Sequence, residues 1–115
     1  MRCPNSDSIH AASYDPEAGS WRVLAPAPIG ARGGHAWAWT GRDMLIWGGG
    51  DRERLNDGAA YSPAGNRWDA LPPSPLRARS TVSVAWTGDV LVLWGGEVGG
   101  GDPPELASDG ARFSP

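Results

Sequence analysis

Trp39-Thr40-Gly41-Arg42-Asp43-Met44-Leu45-Ile46-Trp47-Gly48-Gly49 returns as Trp86-Thr87-Gly88-Asp89-Val90-Leu91-Val92-Leu93-Trp94-Gly95-Gly96. The shift is about 47 residues, the length of one supersecondary repeat. Extended outward, the same shift lays Tyr14 on Tyr61, Pro16 on Pro63, Trp21 on Trp68 and Leu24 on Leu71. It also lays Pro26 on Pro73, Pro28 on Pro75, Arg32 on Arg79 and Ala38 on Ala85. Chance does not align so many Trp, Gly and Pro over one repeat length. A further copy follows after a longer loop, where Asp57-Gly58-Ala59-Ala60-Tyr61-Ser62-Pro63 matches Asp109-Gly110-Ala111-Arg112-Phe113-Ser114-Pro115. Ile9 to Pro16 is a looser copy of that element.

Each repeat reads as four short strands, called A to D. Strand A is expected at His35–Trp39 and Thr81–Trp86, and strand B at Met44–Trp47 and Val90–Trp94. The B runs are almost wholly apolar, which suits a strand buried on both faces. Gly and Asp between A and B mark a tight hairpin. Strand C ends at Tyr14, Tyr61 and Phe113, and strand D carries Trp21 and Trp68. Between C and D, the Tyr-x-Pro-x4-Trp spacing predicts a turn, with Pro fixing φ and Gly or Asn supplying the tight corner. The double glycine after strand B fits a place where neighbouring backbones crowd and φ is positive.

Composition agrees with many short strands. The 115 residues hold 17 Gly, 11 Pro and 7 Trp, which punctuate the chain too often for long helices. Net charge is -3 with scattered arginines, so the basic footprint of a nucleic-acid binder is absent. One cysteine, Cys3, permits no internal disulfide framework and no thiolate metal site. No stretch approaches the roughly 20 apolar residues that span a bilayer. The N-terminal residues Met1 to Asp7 have no apolar core of the signal-peptide kind.

The order Arg-x-x-His, Trp-Thr-Gly, apolar run-Trp-Gly-Gly, Gly-Ala-x-Tyr-x-Pro and Trp-x-x-Leu resembles the Kelch repeat over residues 9 to 115. It resembles in particular the bacterial form, which reads Trp-Thr-Gly and then Ile-Trp-Gly-Gly. The resemblance implies an all-β fold of four-stranded antiparallel propeller blades, strand A innermost and D outermost. Two departures stand out: the family histidine is His35 in one copy and Val82 in the other, and the first copy lacks A and B. On this reading 1–8 is a polar segment, 9–28 supplies the C and D strands of a preceding blade, 29–75 is a complete blade, and 76–115 gives A, B and C of a following one. Closed propellers have roughly four to eight blades, so the ring here is incomplete. Two blades leave open sheet edges and an apolar face. The expectation is a piece of a longer protein. The rival is several copies assembling one ring, for instance three, through their open edges; joining C-terminal A–B–C strands to N-terminal C–D strands then leaves one C strand surplus.

Function is expected on the disc face that carries the D-to-A segments and the B–C loops, because variable polar loops on a rigid scaffold carry binding. Arg32, His35, Arg52, Arg54 and Arg79 are the candidate binding residues there. Beside that reading stands a structural one, in which Arg32 and Arg79 anchor blade to blade and Arg52 and Arg54 belong to a solvated loop. The tryptophans are read as core rather than as a sugar platform of Trp37, Trp39 or Trp86. No nucleophile–base–orienter trio can be placed and no cofactor or metal is called, His10 and His35 being read as local packing residues. The expected function is a non-catalytic binding or scaffold module for a protein or glycan ligand, and the resemblance to bacterial Kelch proteins implies a parent acting outside the cytoplasm; a cytoplasmic adaptor is the alternative. Kelch-fold enzymes set the catalytic alternatives. A galactose-oxidase-like copper site needs Tyr and His ligands and a Cys cross-linked to one Tyr, whereas Tyr14 and Tyr61 occupy the repeat's core position and Cys3 lies far from any expected strand. Ser62 to Trp68 has only a faint likeness to the aspartate-containing turn of sialic-acid-processing enzymes. Gly99-Gly100-Gly101 lacks the lysine of a phosphate loop.

Overall fold

The computed structural model describes residues 11–50 and 53–115. Segment 1–8 with Cys3, residues Ile9 and His10, and the loop residues Asp51 and Arg52 lie outside the described residues. Twelve strands and no helix are found among those described: β1 Ala12–Asp15, β2 Ser20–Val23, β3 Ala36–Trp39, β4 Met44–Trp47, β5 Gly58–Ser62, β6 Arg67–Ala70, β7 Arg79–Ser80, β8 Ser83–Trp86, β9 Leu91–Trp94, β10 Glu97–Val98, β11 Glu105–Leu106 and β12 Gly110–Phe113. They form a two-stranded sheet β1-β2, a four-stranded sheet β3-β4-β5-β6, a three-stranded sheet β8-β9-β12 and a small three-stranded sheet β7-β10-β11, all antiparallel. The chain is all-β.

Local chemistry sets the turns. Thr40 Oγ1 accepts hydrogen bonds from the backbone N–H of Arg42 and Asp43, and Gly41 supplies φ +96°. Thr87 and Gly88 repeat the arrangement, with Gly88 at φ +106°. A threonine hydroxyl capping its own turn favours such a corner, and glycine supplies the left-handed backbone. In the turn before strand D, Gly19 stands at φ +64° and Asn66 at φ +45°, as the Tyr-x-Pro-x4-Trp pattern requires. Strand A starts one or two residues later than its sequence pattern suggests. Gly34 and Thr81, at equivalent places, both adopt positive φ, which ends the extended path just before β3 and β8.

Packing joins the sheets in series. Ala36, Ala38, Leu45 and Trp47 on one face of β3–β4 pack with Leu91 and Leu93 of β9, and Leu76 of the Pro-rich connection is buried among them. Val84, Trp86, Ala111 and Phe113 complete the opposing face. On the other side of the four-stranded sheet, Ile46 and Ala59 bury against Ala27 and Ile29 of the preceding connection. Full burial of one such aliphatic side chain contributes roughly 1.5–3 kcal/mol as an upper bound. The first strands of the two larger sheets, β3 and β8, lie against one another.

Two expectations need correcting. β4 is buried on both faces, but β9 is buried on one only: Leu91 and Leu93 are inside while Val92 and Trp94 are exposed. Nor are the tryptophans all core, since Trp21, Trp37, Trp39 and Trp94 are exposed whereas Trp47 is buried. The physical reason is shared. A side chain is buried only where another layer covers it, and among the described residues no sheet covers these faces.

Candidate functional site

The two connections that run into strand A meet the loops after strand B on one side of the molecule. Backbone pairing fixes this meeting. Gly33 and Gly50 exchange N–H···O bonds of 2.8 and 2.9 Å, and Gly50 bridges onward to Arg54. In the second repeat the same contact has grown into the small sheet, with β10 between β7 and β11. The loops after strand B are therefore tied down by the connection before strand A, a feature the sequence pattern does not announce.

Beneath this surface lies a repeated buried device. The Arg32 guanidinium donates to the Gly48 carbonyl at 3.1 Å and to Asp57 Oδ1 at 2.6 Å. Its counterpart Arg79 donates to the Gly95 carbonyl at 3.2 Å and to Asp109 Oδ1 at 2.7 Å. Both side chains are 1% exposed. Each arginine thus clamps the incoming connection to the end of strand B and the start of strand C. The hydrogen bond from Arg79 holds the Asp109 carboxyl below its ordinary range, although desolvation works in the opposite direction. With their donors turned inward, Arg32 and Arg79 do not reach the surface as binding residues; they anchor, as the structural reading expects, but to a carbonyl and a carboxylate of their own repeat rather than from blade to blade.

The double glycines make the clamp possible. A Cβ on Gly48 would sit 2.8 Å from the Arg79 carbonyl oxygen, and one on Gly49 would sit 2.6 Å from that of Gly33. His35 packs directly beside Gly49, and Val82 occupies the same place beside Gly96. A position filled by histidine in one repeat and valine in the next is used here for its bulk. The His35 Nδ1 atom is buried without a hydrogen-bond partner.

Over this floor opens a cleft of about 770 Å³, lined by Gly33, Gly34, Gly50, Arg54, Arg77 and the Gly99–Gly101 loop, with Glu53, Ala78 and Ser80. Arg54 reaches across the repeats to Glu97 at 3.6 Å, and Arg77 faces Glu105 at 3.6 Å. The Arg77 pair is solvated and contributes little, roughly 0–1 kcal/mol, so its guanidinium is free to turn to a ligand, whereas Arg54 is largely buried and its Nε has no hydrogen-bond partner. Of the candidate residues, the structure brings only Arg54 to this cleft; Arg52 lies outside the described residues. Arg77 was not singled out from the sequence, because the repeat shift lays it on Gly30. Asp57 and Asp109 also escaped, since unequal loops separate them from their arginines by 25 and 30 residues.

Among the described residues no group of three or more His, Cys, Asp and Glu side chains gathers as a metal site, and no helix is long and apolar enough to cross a membrane. No family model matches the chain, and no curated protein matches it.

Proposed function

We propose that the chain carries Kelch-type β-propeller blades and serves as a non-catalytic recognition or scaffold module, holding a protein or glycan ligand in the cleft between the loops after strand B. The observation that supports it is the construction of that cleft. Glycines keep its floor free of side chains, and two arginines, each in a long ion pair of 3.6 Å, stand on its walls. Such a surface offers hydrogen-bond donors and acceptors to an extended polar ligand, on a scaffold that the buried arginine clamps hold rigid. The blade reading draws its support from the repeat itself and from sheets that pack face to face with their first strands adjacent.

A glycan array and a peptide library, each probed with the purified chain, test this reading. One class of ligand is expected to bind, and Arg54→Ala combined with Arg77→Ala should weaken it at least tenfold without lowering the unfolding temperature appreciably. Binding unchanged by the double substitution would move the ligand elsewhere. Turnover of a sialic-acid or galactose substrate would overturn the non-catalytic reading.

A further inference from the structure

The interface inside the chain is a template for one that the chain leaves open. In the four-stranded sheet, Ala36, Ala38, Leu45 and Trp47 share a face, as the pairings Ala36–Trp47 and Ala38–Leu45 require. That face is covered by Val84, Trp86, Leu91 and Leu93 of the next sheet. Shifted by one repeat, the first set becomes Ser83, Ala85, Val92 and Trp94, again one face through the pairings Ser83–Trp94 and Ala85–Val92. Among the described residues nothing covers this second set: Trp47 is 3% exposed but Trp94 is 56%, and Leu45 is 2% but Val92 is 37%. Shifted back by one repeat, the covering residues Val84 and Trp86 become Trp37 and Trp39 on β3. These stand 62% and 51% exposed on the opposite side of the molecule.

Among the described residues one chain therefore displays both halves of the contact it makes internally, facing away from each other: the Val92–Trp94 half is uncovered, and the other is open at Trp37 and Trp39, while Ile46 beside them packs against Ala27 and Ile29. We infer that the occupant of each face is a second copy of this chain, docked head to tail. The Val92–Trp94 face of one copy covers the Trp37–Trp39 face of the next in the arrangement that Leu45–Trp47 and Val84–Trp86 adopt within the chain. The contact is heterologous, so successive copies either close a ring or propagate a filament. Each copy brings two larger sheets; closure at roughly four to eight sheets corresponds to about two to four copies. Exposed tryptophans on two opposed faces also make the isolated chain poorly suited to remain a monomer in water. One position differs in character, since Arg112 stands where Ala60 stands, and leaves a guanidinium on the docking face. This inference is independent of what the cleft binds, because the two faces and the cleft share no residue.

Complementation separates head-to-tail docking from any symmetric association. Trp94→Glu spoils one face and leaves the other intact; Trp37→Glu with Trp39→Glu does the reverse. Each variant alone is expected to run as a single chain of 12.1 kDa. Mixed in equal amounts, they should form a 1:1 dimer and nothing larger, because only one competent contact remains. Dimers of either variant alone would overturn the head-to-tail geometry. So would an equimolar mixture that stays at one chain while both variants unfold cooperatively. Should Trp94→Glu fail to fold, Ala85→Glu at the same face takes its place, with the same outcomes read.

Discussion

Gly48 and Gly95 share a φ of +69°, yet their surroundings differ. A Cβ on Gly48 would strike the Arg79 carbonyl at 2.8 Å, while one on Gly95 would meet nothing nearer than the Ala107 oxygen at 3.6 Å. Gly95→Ala should therefore cost about 1–2 kcal/mol, the penalty of left-handed backbone alone. Gly48→Ala should add roughly 1–3 kcal/mol for overlap with the neighbouring connection. Urea midpoints of the two variants measure the difference; equal costs would mean that the Arg79 connection does not press on Gly48. Arg79 itself is the other decisive residue. Its removal strands the Gly95 carbonyl and frees Asp109, and Arg79→Ala should cost about 3 kcal/mol, in line with losing charge-assisted hydrogen bonds in the interior. Because the folded state depresses the Asp109 pKa, its contribution is complete above the ordinary aspartate value of about 4. It fades as pH falls through the lower, folded value. An Asp109→Asn chain should accordingly show a shallower loss of stability below about pH 4 in an acid titration of the unfolding midpoint.

At the scale of the element, the corner between β5 and β6 does more than reverse the chain. Asn66 Oδ1 accepts from the Tyr61 hydroxyl at 2.7 Å and from the Ala25 amide at 3.1 Å, and the Trp68 indole donates to the Ala25 carbonyl at 2.8 Å. The turn thereby holds the connection that enters the four-stranded sheet. Asn66→Ala loses two hydrogen bonds and places alanine at φ +45°, so a loss of about 2–4 kcal/mol in urea unfolding is expected; Asn66→Gly should recover about 1 kcal/mol of it by removing the strain. Strands and turns of this kind were legible in the sequence, because Thr-Gly corners, apolar runs and Tyr–Trp spacing report local preferences that repeat with the chain. The small sheet β7-β10-β11 was not legible. Its strands are two residues long and pair across unequal loops, so neither periodicity nor the repeat shift marks them. The cleft was legible in outline, as the side bearing the variable loops and Arg54. Arg77 was hidden by its glycine counterpart; an anchoring role for Arg32 and Arg79 was legible, but which carboxylate and carbonyl each takes, within its own repeat, follows only from the fold.

Across the whole molecule, the repeat explains what is buried and what is not. One apolar pattern serves both larger sheets, yet only the four-stranded sheet is covered on both sides of β4, and the three-stranded sheet presents Val92 and Trp94 to solvent. The middle of the core is held by Leu76, which fills the space between the sheets. Leu76→Ala should cost about 2–5 kcal/mol and lower stability without changing the secondary structure seen by circular dichroism. The absolute mass of the unaltered 115-residue chain, followed by light scattering on a sizing column over a wide concentration range, tests the serial packing of sheets most directly. The account predicts one species at a whole multiple of 12.1 kDa that unfolds cooperatively and reverts to a single chain on Trp94→Glu. A stable, cooperatively folded monomer at every concentration would contradict it.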